Sequence, residues 1–128
     1  MSLRQLAARG LSTLLDPTIA LSYDRTGYRL HRAGFDPGDL PADLTGRTIL
    51  ITGANSGLGL AAAEALAGMG GSVWMLCRSE ERGQAALQQV REKTGGDVHL
   101  ELVDLSSQAS VRALCDRLPL DRIDVLIH

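Results

Sequence analysis

From Arg47 onward, apolar and polar positions alternate between two periods. Residues 48–52 (Thr-Ile-Leu-Ile-Thr) form a short continuous apolar run with β-branched members, the pattern of a strand buried on both faces. Residues 57–69 are dense in alanine and are closed by Gly70-Gly71, which predicts a helix with a glycine stop. Residues 72–77 read as a second strand. Residues 80–94 read as a more polar helix, with Ala85, Ala86, Leu87 and Val90 on one side and Gly95-Gly96 after it. A third strand is predicted over 98–103. A third helix follows over 107–118, with Val111, Leu114, Cys115 and Leu118 facing inward. After Pro119, residues 123–127 give a fourth strand. Strands and helices that alternate across short loops imply βαβ units, hence a parallel sheet with helices on both faces. Right-handed crossovers leave few topologies, and spatial order 3-2-1-4 is expected: the first part of a doubly wound α/β sheet.

Residues 1–46 follow another pattern. Leu3, Leu6, Ala7, Leu11, Leu14 and Leu15 recur at helical spacing, so an amphipathic helix is predicted over 2–15, ended by Asp16-Pro17. The stretch that follows carries Gly27, Gly34, Pro37, Gly38 and Pro41 with apolar residues in no clean period. It reads as an irregular arm laid across a larger body. The chain therefore divides into an extension, 1–46, and a regular domain, 47–128. Arg4 and Arg9 on the leucine-rich helix leave contact with an anionic membrane surface open beside a packing role.

Composition narrows the classes. The chain has 128 residues, 45% of them apolar, and a formal net charge of −2. That suits one modest domain, or part of a larger one, and excludes a disordered tail. Every apolar tract is broken before about 18 residues, so no membrane span is expected. The 13 basic residues are spread among 15 acids, and aromatics are 3% of the chain. Neither a phosphate-neutralising stripe nor a base-stacking platform exists, which argues against nucleic acid. Cys77 and Cys115 both fall in apolar segments without metal-like spacing and read as reduced core thiols. His31, His99 and His128 are not spaced as metal ligands. The N-terminus lacks a secretory cleavage site, so a cytoplasmic location is the default.

The chemistry concentrates between the first strand and the first alanine-rich helix, at Thr52-Gly53-Ala54-Asn55-Ser56-Gly57-Leu58-Gly59. Glycines there permit a tight turn and a backbone that lies close to a ligand. The helix start behind them offers unpaired N–H groups and a positive dipole end, which suit a pyrophosphate. Gly53 would make the turn, Gly57 would admit the phosphates, and Gly59 would let helix and strand pack closely. Asn55 and Ser56 could add side-chain hydrogen bonds.

The spacing Gly-x-x-x-Gly-x-Gly, with Thr in front and Asn-Ser inside, resembles the short-chain dehydrogenase/reductase family, over residues 47–128. The extension, with Gly27-Tyr28, is similar to that of a subgroup related to vertebrate dehydrogenase/reductase member 12. The resemblance implies a Rossmann domain and a nicotinamide cofactor held by Gly53, Asn55, Ser56, Gly57, Leu58 and Gly59. It also implies that Asp104 and Leu105 border the adenine; an ordinary helix cap is the other reading of Asp104. At the end of the second strand, an acid would favour NAD by accepting from the ribose 2′-OH. The chain instead has Arg78-Ser79, a fixed positive fork and a hydroxyl, so NADP(H) is favoured. Glu80 and Glu81, in the first helical turn, keep NAD open.

The family's Asn-Ala-Gly would follow His128, and its catalytic Ser and Tyr-x-x-x-Lys lie further on. Tyr23 and Tyr28 have Gly27 and Arg32 four residues on, and Lys93 is the only lysine. No residue is therefore assigned to catalysis. The expectation is the N-terminal part of an oxidoreductase that moves a hydride between nicotinamide and a small carbonyl or alcohol substrate, inactive by itself. An apolar fourth strand left at an edge fits such a fragment. A non-catalytic nucleotide-binding or interaction module is the alternative; oligomeric state is not legible.

Overall fold

The computed structural model describes residues 25–36, 38 and 43–128. Residues 1–41 and 42–128 form two compact units. The helix expected over 2–15, and with it the membrane-surface reading, lies outside the described residues. In the first unit the expected irregular arm is corrected: Arg25–Ala33 is a helix, α1. Gly34 does not interrupt a loop but ends this helix, with its N–H donating to the carbonyl of His31 at 2.9 Å. Its helical period is carried by Arg25, Arg29 and Arg32 rather than by an apolar stripe.

In the second unit the elements run β1 (Thr48–Thr52), α2 (Gly57–Gly68), β2 (Ser72–Cys77), α3 (Glu80–Thr94), β3 (Val98–Leu102), α4 (Gln108–Arg117) and β4 (Val125–Ile127). The sheet is parallel in order β3-β2-β1-β4, the order expected among those the crossover rule allows. Side chains alternate between its faces. Ile49, Ile51, Val73, Met75, Cys77 and Val98 pack with Ala63 and Ala67 of α2 and Ala86, Leu87 and Val90 of α3. Leu50, Trp74, Leu76 and Val103 pack with Leu114 of α4 on the other face. Each fully buried aliphatic side chain here contributes about 1.5–3 kcal/mol. Trp74 also stacks on His99, with ring centroids 4.3 Å apart, and His99 pairs with Asp97 at 2.8 Å. The Trp74 indole N–H meets no acceptor among the described residues.

Two inward assignments are corrected. Cys115 is exposed, so only Cys77 is a core thiol. Only one stripe of α4 meets the sheet, formed by Leu114 with Val111 and Leu118, and Cys115 lies beside that stripe. Ala85 is exposed as well, and Gly83 takes the inward place on α3. A Cβ on Gly83 would come within 2.8 Å of a Leu100 methyl, so α3 lies close on β3 at this point.

Asp124 fastens β4 to β1 at their amino ends. Its carboxylate accepts from the Thr48 N–H at 2.8 Å and pairs with Arg47 at 3.3 Å and Arg122 at 3.0 Å. β4 lies at the sheet's edge, with Val125 and Leu126 exposed.

Candidate functional site

A parallel sheet brings all its carboxyl ends to one side, and ligands of open α/β sheets bind there. The pairing of Thr52 with Leu76, and of Cys77 with Leu102, sets the ends of β1, β2 and β3 nearly level. The loops that follow enclose an open cleft of about 350 Å³ lined by Gly53, Asn55, Leu76, Arg78, Val103, Asp104, Leu105 and Ser106. A wider hollow of about 520 Å³ lies along the β3 side between Glu80 and Arg117, but no residue of the glycine loop lines it.

The glycine loop has three distinct demands. Gly53 takes φ +61 directly after β1, while its N–H still donates to the Leu76 carbonyl at 3.0 Å. Gly57 takes φ +55 with open space where a Cβ would stand. Gly59 has no such space: a Cβ would lie 2.5 Å from the Gly53 carbonyl oxygen. Leu58, between them, projects outward and is 92% exposed.

Helix α2 begins differently from its neighbours. Ser79 caps α3 by accepting from the Arg82 N–H at 3.4 Å, and Ser107 caps α4 by accepting from the Ser110 N–H at 3.3 Å. Ser56, at the same position of α2, makes no side-chain cap bond. The first amides of α2 are thus left without the partner that the other helices supply. This arrangement fits an anionic group at the helix start, beside a loop stripped of side chains.

Arg78 stands exposed at the tip of β2 with no ion-pair partner among the described residues. Across the cleft, Asp104 accepts from the Ser106 hydroxyl at 2.7 Å and the Ser106 N–H at 3.0 Å. These bonds, with Arg78's charge added, hold its carboxyl below the usual carboxylate range. Asp104 is therefore not the cap of α4; Ser107 is. Ser79 faces its own helix rather than the cleft lining. Burial pushes the Cys77 thiol up, partly opposed by the N–H groups of Ala54 and Asn55, which ties the end of β2 to the glycine loop.

Of the residues expected at the site, Gly53, Asn55, Arg78, Asp104 and Leu105 share the cleft, and Ser56, Gly57, Leu58 and Gly59 form the adjoining helix start. Leu76, Val103 and Ser106 complete the lining without having been foreseen. Val103 and Leu76 were legible only as core; Ser106 stood within the Asp-Leu-Ser sequence but carried no signal of its own. Among the described residues no group of His, Cys, Asp or Glu could hold a metal ion, and no helix is long and apolar enough to cross a membrane.

Comparison with known proteins agrees with this geometry. The short chain dehydrogenase family model matches residues 47–128. The chain is 46% identical over 90 residues to dehydrogenase/reductase SDR family member 13 of Bos taurus, covering 68% of this chain and 24% of that protein. It is 38% identical over 90 residues to family member 12 of Bos taurus, covering 70% and 28%. Among solved structures, L-sorbose reductase from Gluconobacter frateurii, complexed with NADPH and L-sorbose, superposes with a TM-score of 0.61 at 30% identity, over 68% of this chain and 34% of that one. The chain thus spans about a quarter of the length of these curated relatives. On the family match and the shared sheet, the chain belongs to the short-chain dehydrogenase/reductase family.

Proposed function

We propose that residues 47–128 are the NADP(H)-binding part of an oxidoreductase that transfers a hydride between a nicotinamide and a carbonyl or alcohol. The observation that carries this reading is the uncapped start of α2 behind Gly53 and Gly57. A pyrophosphate placed there accepts from the first α2 amides, faces the positive end of the helix dipole, and meets no Cβ at Gly57. The side chains of Asn55 and Ser56 stand beside it. Leu58 offers an apolar surface on the same rim. Asp104 and Leu105 border the adenine, with Val103 as a wall. Arg78 supplies a fork for the ribose 2′-phosphate that a carboxylate would repel. Ser79 contributes less than expected, since its oxygen already serves α3. The bound nicotinamide supplies the hydride chemistry; this chain's residues bind and orient it. None of them is assigned a proton-transfer role.

The test is calorimetric titration of the chain and its Arg78→Ala variant with NADPH and with NADH. A charge-assisted hydrogen bond to phosphate contributes about 1.5–3 kcal/mol, and the exposure of Arg78 favours the lower figure. The variant is expected to lose roughly tenfold or more in NADPH affinity and little for NADH. Equal losses would overturn the NADP assignment. Failure of the unaltered chain to bind either dinucleotide would overturn the cofactor reading itself.

A further inference from the structure

We propose that Arg91 and Arg117 close the free β3 edge of the sheet to strand addition by a second copy of this chain. The backbone alternation fixes which groups are at stake. The Val73 N–H donates to the Asp97 carbonyl, and the Val103 N–H donates to the Cys77 carbonyl, both at 2.9 Å. Residues 97, 99, 101 and 103 therefore turn their polar groups toward β2. Val98, Leu100 and Leu102 turn theirs away from the sheet. Such a row is a ready template for another strand.

Two guanidinium groups occupy this row. Arg91 Nη2, from α3, donates to the Val98 carbonyl at 2.7 Å. Arg117 Nη2, from α4, donates to the Leu102 carbonyl, while its Nε donates to Glu101 at 2.8 Å. The two helices cover opposite faces of the sheet, since α3 packs with Ile51 and Met75 and α4 with Leu50 and Trp74. The side chains thus reach the edge from both sides and meet the first and last residues of a five-residue strand. Among the described residues, the Leu100 carbonyl and the outward N–H groups of Val98, Leu100 and Leu102 stay unguarded between them. An incoming strand must displace both guanidinium groups from the carbonyls at the two ends of the row, where its own N–H groups would donate, and of the three outward carbonyls only that of Leu100 is open to it.

The test is amide hydrogen exchange by NMR on the chain across a concentration series, with light scattering for mass. In the unaltered chain the Leu100 amide exchanges fast at every concentration. In the double variant Arg91→Met, Arg117→Met, which keeps the apolar stems, the Leu100 and Leu102 amides are expected to slow at least tenfold as concentration rises, together with an increase in mass. Adding Leu102→Pro removes an outward N–H and no ladder bond, and is expected to restore fast exchange at Leu100. A folded double variant whose Leu100 amide stays fast at all concentrations overturns the proposal. So does association that Leu102→Pro leaves intact. If the double variant does not fold, Arg117→Met alone, at a side chain 42% exposed, reports at Leu102, where at least a twofold slowing is expected and an unchanged rate overturns the proposal.

Discussion

Gly59→Ala sets two physical effects against each other, and their magnitudes decide the outcome. Gly59 lies in the first turn of α2, where helix propensity favours alanine by about 1 kcal/mol. Sterics oppose it. The added Cβ would stand 2.5 Å from the Gly53 oxygen, 3.0 Å from the Gly53 carbonyl carbon and 3.1 Å from the Ala54 Cα. All three are backbone atoms, which cannot rotate aside as a side chain would. Ordinary contact begins at 3.4 Å, so loop and helix must part by about 0.9 Å. Overpacking of this kind costs about 1–3 kcal/mol, and an immovable backbone puts it at the upper end. The net loss after propensity is about 2 kcal/mol, a fall in Tm of about 10 °C for a domain of this size. Gly57→Ala is the control. Its Cβ meets nothing, and its cost of about 1–2 kcal/mol comes from the left-handed φ alone, without moving Gly53. Thermal unfolding by circular dichroism and titration with NADPH read both effects. Gly59→Ala is expected to lose stability and roughly tenfold or more in affinity, because a displacement near 1 Å misplaces the phosphate donors. If Gly59→Ala melts at or above the unaltered chain and binds NADPH equally well, propensity has won and the close-approach reasoning is wrong.

Two further outcomes follow from the electrostatics and the thiols. The Thr48 N–H first, and Arg47 and Arg122 after it, hold the Asp124 carboxyl below the usual carboxylate range. Its contribution to stability is therefore complete above the unfolded value, near pH 4, and is lost as pH falls through the folded one. Asp124→Asn is expected to lower the urea midpoint at pH 7 by a margin that shrinks below about pH 4; a margin constant across that range refutes the assignment. Cys77 is 2% exposed and Cys115 is exposed, so a thiol reagent should titrate one group per native chain and a second only in denaturant. Loss of the fast group in Cys115→Ser assigns it, and two fast thiols in the native chain would mean that the carboxyl end of β2 opens.

The regular domain was legible because its signals agree with one another. Apolar runs at 48–52 and 72–77, glycine stops at Gly70 and Gly95, and short loops together leave few sheet orders, and the one expected among them is present. What failed to show was one-sided or sparse. Helix α4 touches the sheet along a narrow stripe, so an apolar residue beside that stripe, Cys115, looks inward on a helical wheel and is not. Helix α1 is one-sided through basic residues, Arg25, Arg29 and Arg32 at helical spacing, rather than through an apolar stripe, and Gly27 within it and Gly34 after it looked like turn residues. Gly83 was available as a signal, since a glycine inside a helix needs a reason and close approach is the usual one. The guarding arginines were not available, because a bond from a helix to an edge carbonyl depends on which way each strand residue turns.

Three helices of this domain open on a serine, and the sequence alone cannot tell them apart. Ser79 and Ser107 accept a hydrogen bond from the amide three residues on and thereby finish their helices. Ser56 does not, and the difference lies in the next residue. Gly57 sits at φ +55, a conformation that turns the chain before the first helical amides and takes the Ser56 hydroxyl out of capping geometry. A side chain at 57 would be strained there, whereas glycine holds the turn at little cost. The same residue that leaves α2 unfinished by local rules leaves its amides free for an anion and clears the space through which one approaches. The loop is thus the place where this domain forgoes local stability; on the proposed function, a dinucleotide that supplied the missing acceptors would restore it by binding the folded state alone.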